Sequence, residues 1–243
     1  MNWTRPCISG RNVNSCAMNS KKSKVFIVDD HPIFRKGLIQ LINEEKDMEV
    51  CGEAEDAFSA AKKIKQLMPD VIIADITLKD ASGLELVKFL TESNINIPVL
   101  VLSMHDEKIF AERSLKAGAR GYIMKQEMSE KVTMALRQIM AGKIYVSEAV
   151  NERILTSLIN RGDKNGDVYI SNPEDLLTDR ELEIFRLMGK GFKRNDIAKF
   201  LNINVNTVGT YRERIKEKLN ISSSNELMAM AVSWVRKIEK EDE

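Results

Sequence analysis

The sequence predicts an α/β domain built on a doubly wound parallel sheet, followed by a separate all-α domain. Three observations predict it. Between residues 24 and 142, five short apolar runs alternate with amphipathic segments, the pattern of a parallel sheet covered by helices on both faces. Beyond residue 175 the strand pattern stops and four helical stripes follow one another. Between the two regions, residues 161–175 mix Gly162, Asn165, Gly166, Asn172 and Pro173 with charges, as a linker does.

At 243 residues the chain has length for one or two domains and a real core. A net charge of +1 says little by itself. Three cysteines without ligand spacing argue against both a disulfide scaffold and a zinc site, and Cys51 reads as a small core residue. Neither a membrane-length apolar run nor an apolar signal core is present, so the expected protein is soluble and cytoplasmic, with no membrane partner. Residues 1–23 are polar and aperiodic and read as a disordered tail. Met18 is a second candidate for the first translated residue.

The expected strands are 24–28, 50–54, 71–75, 98–103 and 121–125, with helices at about 32–42, 57–68, 84–91, 108–117 and 129–140. Right-handed crossovers in the order 2-1-3-4-5 bring the ends of strands one and three together at the switch point, where open α/β sheets bind ligands. Residues 24–142 form this domain. Residues 143–175 are a linker with a short helix at 148–160, and 176–243 form the all-α domain.

Val71-Ile72-Ile73-Ala74 ends in Asp75, and Val25-Phe26-Ile27-Val28 ends in Asp29-Asp30. Three carboxylates gathered at one sheet edge repel each other unless a cation sits among them. Oxygen-only ligands favour a hard ion, here Mg²⁺. Asp75 is the candidate reactive centre, since a carboxylate can attack a phosphoryl group to form an aspartyl phosphate. Ser103 ends strand four with a hydroxyl, and Lys125 ends strand five with an ammonium suited to phosphate charge. Any one of these residues alone is more often a cap or a solvated side chain; four compatible strand ends are not. His31 and His105 each stand alone, without a metal-ligand partner at usable spacing.

Thr178-Asp179-Arg180-Glu181 has the form of a capping box. Short helices at 194–201 and 205–219 flank the turn Asn202-Ile203-Asn204, the shape of a helix-turn-helix, and a last helix spans about 224–238. Val208, Tyr211, Ile215 and Leu219 form the inner stripe of the 205–219 helix, with Gly209, Thr210, Glu213, Lys216 and Glu217 outside. From Leu176 to Asn220, ten basic residues against six acidic leave +4, a modest footprint for DNA.

Asp29-Asp30, Asp75, Gly83, Ser103, Tyr122 and Lys125 resemble the receiver domain of a bacterial response regulator, and residues 177–221 resemble the LuxR-type helix-turn-helix. Together they resemble the NarL/FixJ family of two-component regulators, implying a flavodoxin-like receiver followed by a DNA-binding domain. The resemblance implies that Asp75 accepts a phosphoryl group from a sensor histidine kinase. Asp30 and Asp75 would ligate Mg²⁺ directly, Asp29 through water and Thr77 through its backbone carbonyl. Ser103 would turn toward the phosphate and Tyr122 would swing inward with it. Lys79 stands where the family usually has proline, which puts phosphoryl lifetime in question. Base-reading positions would be Gly209, Thr210 and Glu213; Lys193, Arg194, Thr207, Arg212 and Arg214 suit phosphate contacts. Glu213 either accepts from a cytosine amino group or pairs with Arg212, Lys216 or Lys218, and the local charges favour pairing. Two half-sites imply a homodimer on double-stranded DNA, with RNA polymerase a further candidate partner.

The expected function is a transcription regulator switched at Asp75, its receiver covering or misorienting the reader at rest. It would not be an enzyme beyond slow self-dephosphorylation. An aspartate-nucleophile phosphatase is disfavoured by Thr77, where such enzymes resemble one another in having a second aspartate. The alternative is a DNA-binding regulator indifferent to phosphorylation and controlled by a partner or ligand.

Overall fold

Five strands, β1 (Ser23–Val28), β2 (Met48–Ala54), β3 (Val71–Asp75), β4 (Val99–Ser103) and β5 (Gly121–Met124), pair in parallel in the order β2-β1-β3-β4-β5. In the computed structural model of the chain, residues 21–78, 82–104, 107–160, 173–201 and 203–240 are described. The expectations for residues 1–20, Lys79, His105, Asn202 and linker residues 161–172 lie outside them.

Side chains alternate across the strands, and that alternation splits the core in two. Val25, Ile27, Val71, Ile73, Leu100, Leu102 and Ile123 face α1 (Pro32–Asn43) and α5 (Met128–Met140), meeting Leu38, Ile42, Val132, Leu136 and Ile139. Phe26, Val28, Ile72, Ala74, Val101 and Tyr122 face the other way. They share a core with Ile64 of α2 (Ala57–Leu67), Leu86 and Leu90 of α3 (Gly83–Glu92) and Phe110 of α4 (Glu107–Ala117). Burial on both faces is why β1, β3 and β4 read as unbroken apolar runs. Edge strand β2 begins two residues before its expected start. Its solvated side carries Glu49, so Met48-Glu49 has the alternation of an edge and not the run of a centre.

Two features lie inside the stretch expected to be linker. The Tyr122 N–H donates to the Tyr145 carbonyl at 2.9 Å and the Tyr145 N–H to the Arg120 carbonyl at 2.9 Å, so the backbone at Tyr145 lies along β5 and shields that sheet edge. After α6 (Glu148–Asn160), a single helical turn, α7 (Pro173–Leu176), forms with proline first, where its missing N–H leaves nothing unsatisfied.

The all-α part comprises α8 (Asp179–Gly189), α9 (Arg194–Phe200), α10 (Val205–Lys218) and α11 (Ser224–Lys240). The Thr178 capping box forms, with both reciprocal bonds present. Leu182, Phe185 and Met188 of α8 share a core with Leu227, Ala231 and Trp234 of α11, and the Phe185 and Trp234 rings lie 5.6 Å apart.

Candidate functional site

The carboxyl ends of β1 and β3 are neighbours because Val28 pairs with Ala74. Each strand then delivers its acids to one place. Asp29 and Asp75 are 1% and 3% exposed, and Asp30 is 7% exposed, so three carboxylates are gathered out of water. Lys125 follows β5 and reaches across the sheet end: Nζ donates to Asp75 Oδ2 at 2.6 Å and to Asp29 Oδ2 at 2.7 Å. Its ammonium also lies 4.2 Å from the centre of the Phe34 ring, a cation–π contact from α1. Asp29 is fixed from behind, its carbonyl accepting from Arg35 Nη1 at 2.5 Å and its Oδ1 from the His31 N–H at 2.7 Å.

Burial is the largest influence on Asp75 and pushes its carboxyl up to about 6; Lys125 opposes this and Asp29 reinforces it. For Lys125, burial works against the charge, but Asp75 and Asp29 outweigh it and hold the ammonium above its ordinary value. Three acids facing one ammonium leave a surplus of negative charge, and ligand atoms of Asp29, Asp30, His31 and Asp75 all lie within 4.8 Å of one another. That donor set, mainly carboxylate oxygen, fits a hard divalent ion. His31, which the sequence offers no metal-ligand partner at usable spacing, lies beside these carboxylates, its Nδ1 2.7 Å from Asp30 Oδ1 at the rim of the cup.

Ser103 ends β4 fully buried, one strand beyond Asp75. Tyr122 is 2% exposed, so its ring is already inside, where the resemblance implied an inward swing. The Thr77 N–H donates to Asp75 Oδ1 at 3.3 Å. A Cβ on Gly83 would overlap the Asp75 carbonyl oxygen, which explains glycine at the start of α3.

Thr77 also faces the second domain. Its hydroxyl donates to Glu183 Oε1 of α8 at 3.4 Å, and Glu183 pairs with Arg180 at 2.9 Å. Beside it, Arg113 of α4 clamps the start of the second domain. Nε donates to Asp179 Oδ1 at 2.6 Å, Nη1 to the Glu174 carbonyl at 2.5 Å and Nη2 to the Leu177 carbonyl at 3.1 Å. Sequence reading missed Arg113, because a charge on an amphipathic helix looks like a solvated face.

In the reader, Asn204 caps α10 by accepting from the Asn206 N–H at 2.8 Å. Val208 and Ile215 are buried and Tyr211 is half-buried, as the inner stripe requires. Thr207, Thr210, Glu213 and Arg214 are exposed, with Arg212 and Gly209 half-buried, so the receiver docks on α8 and leaves the outer face of α10 open. Lys193 and Arg194 are exposed at the start of α9. Glu213 pairs with Lys216 at 2.6 Å, one of the three expected partners. Lys218 reaches Glu181 at 2.6 Å; burial alone would raise that carboxyl, but Lys218 and Thr178 together hold it below the usual range.

Comparison with known proteins agrees with both halves. Residues 25–137 match the response regulator receiver domain, and residues 175–231 match the bacterial regulatory proteins of the luxR family. The chain is 34% identical over 210 residues to the oxygen regulatory protein NreC of Staphylococcus epidermidis, covering 86% of this chain and 96% of that one. It is 32% identical over 210 residues to NreC of Staphylococcus carnosus, with the same coverage. Among solved structures it resembles RcsB from Salmonella enterica serovar Typhimurium bound to a promoter in the presence of phosphomimetic BeF3-. The TM-score is 0.52 at 26% identity, covering 88% of this chain and all of that one. With the acid cup at the sheet edge and the helix-turn-helix behind it, the chain belongs to the NarL/FixJ-type response regulators, DNA-binding transcription regulators that join a receiver domain to a LuxR-type reader.

Proposed function

We propose that Asp75 accepts a phosphoryl group from a sensor histidine kinase and that this transfer changes how residues 176–243 engage double-stranded DNA. The observation that carries the reading is the Lys125 ammonium bridging Asp75 and Asp29 at 2.6 and 2.7 Å inside a buried acid cup. Asp75 attacks the phosphorus, the bond from phosphorus to the donor nitrogen breaks, and the Lys125 hydrogen bonds pass to the phosphoryl oxygens. Ser103 supplies a further donor from β4. Asp29, Asp30, Asp75 and the Thr77 carbonyl would hold Mg²⁺, whose chemistry when bound is charge neutralisation.

The route outward runs through Thr77. A phosphoryl group on Asp75 adds negative charge two residues from Thr77, whose hydroxyl now meets the carboxylate of Glu183. Drawing that hydroxyl toward the phosphate breaks the bond and sets two anions near one another, which weakens α8's hold on the receiver. A coupling of about 1–3 kcal/mol suffices for such a switch. Because the outer face of α10 is open, docking restrains the reader's orientation without covering it. On two half-sites the chain would act as a homodimer, as RcsB dimers do on DNA, in the cytoplasm, with RNA polymerase the candidate downstream contact. We assign residues 24–142 to the receiver, 143–175 to the connection and 176–243 to the reader.

The test is Asp75→Ala with phosphoramidate and Mg²⁺. The wild-type chain should gain one phosphoryl group by intact mass and bind duplex more tightly, and the variant should fold and do neither. Equal stimulation of both chains would reject the switch and favour control by a partner or ligand.

A further inference from the structure

Arg194 opens α9 at the surface, yet its guanidinium is folded back onto the first turn of α10. Nε donates to the Val205 carbonyl at 2.8 Å and Nη2 to Asn206 Oδ1 at 3.5 Å. The group comes to rest over Gly209: a Cβ built there would lie 2.5 Å from Nη2 and 2.9 Å from Cζ. Glycine at 209 therefore leaves a space on the outer face of α10 that a side chain from the neighbouring helix fills.

The N-terminal half of a recognition helix is the part that meets base edges. Arginine has five N–H donors, and two are used here, leaving both hydrogens of Nη1 and one of Nη2. A guanidinium edge presenting two such donors matches the O6 and N7 acceptors of guanine in the major groove. The neighbouring acid does not cancel the charge, because Glu213 is engaged by Lys216.

We propose that Arg194, lodged over Gly209, is a guanine-reading side chain of this protein, supplied by α9 in place of a side chain from α10. The proposal rests on residues 194–219 being a DNA reader and deepens that assignment. It replaces the expectation that Arg194 contacts phosphate. A phosphate contact shifts affinity alike for all sequences, whereas a base contact changes which sequence is preferred.

The experiment selects randomised duplexes with the full chain, in Mg²⁺ and phosphoramidate, for wild type, Arg194→Lys, Arg194→Ala and Gly209→Ala. Wild type should prefer guanine at one position of each half-site by roughly 5- to 150-fold. Arg194→Lys keeps the charge but not the fork and should lose most of that preference. Gly209→Ala should lose it too, because the new methyl displaces only the free end of Arg194 and leaves the helix intact by circular dichroism. If the arginine variants instead weaken binding equally for all duplexes and keep the guanine preference, Arg194 is a phosphate contact and the proposal is overturned. Enrichment of no duplex by wild type would overturn the reader assignment itself, and this proposal with it.

Discussion

At Asp75 the fold sets a charge where burial disfavours it, and the consequence is measurable. Between pH 3.8 and about 6 the unfolded chain ionises this carboxyl while the folded chain resists. This group's contribution to stability therefore falls as pH rises through that window and stays low above it. Asp75→Asn escapes the penalty. In EDTA it should match wild type below about pH 4 and exceed it by about 2–3 kcal/mol above pH 6, read by urea unfolding. Added Mg²⁺ should narrow the gap, since a bound cation favours the carboxylate. Lys125→Ala acts in the opposite direction, leaving three acids without their buried ammonium and costing about 3–5 kcal/mol in EDTA. The acids and Lys125 were legible in the sequence because each ends an apolar run that only a buried strand explains. His31 was not, because an imidazole next to two acids is unremarkable in sequence, and only the pairing of β1 with β3 brings Asp75 to 3.9 Å and seats it at a cup.

Elements were legible where local signals and tertiary packing agree. The Thr178 box announces α8, and the structure forms both of its bonds. Thr178→Ala should lower stability by about 0.5–2 kcal/mol in thermal unfolding, with the receiver half unaffected. Asn204→Ala removes the cap of α10 and should weaken duplex binding together with helix content, since the frayed turn is the one that carries Asn206. Illegible were the elements defined by a partner. The backbone at Tyr145 lies in an apolar run of only three residues, Ile144-Tyr145-Val146, too short to announce a strand, and it joins β5 by a single bridge at that sheet edge. The one-turn helix at Pro173 is too short for periodicity, although proline before acidic residues is a start signal that would have found it. Arg194 over Gly209 is hidden for a third reason: a glycine in a helix reads as a weakness until the side chain that fills its space is seen.

Across the whole molecule, receiver and reader share one buried apolar cluster, with Leu84 and Ile109 on one side and Leu177 and Ile184 on the other, and polar ties fix its orientation: Thr77 to Glu183, and Arg113 to the α7–α8 start. Arg113→Ala should release the second domain without touching the acid cup. The expected outcome is duplex binding without phosphodonor, raised about 5- to 150-fold over unphosphorylated wild type, with phosphorylation of Asp75 unchanged by intact mass. Unchanged basal binding would mean that the clamp does not restrain the reader. Two of the three acceptors gripped by Arg113 are main-chain oxygens, at Glu174 and Leu177. No codon change can delete a carbonyl. Drift in the second domain can therefore alter which promoters are chosen while the tether to the receiver persists. Selections for constitutive activity should then return far more lesions at Arg113 than among the residues it holds.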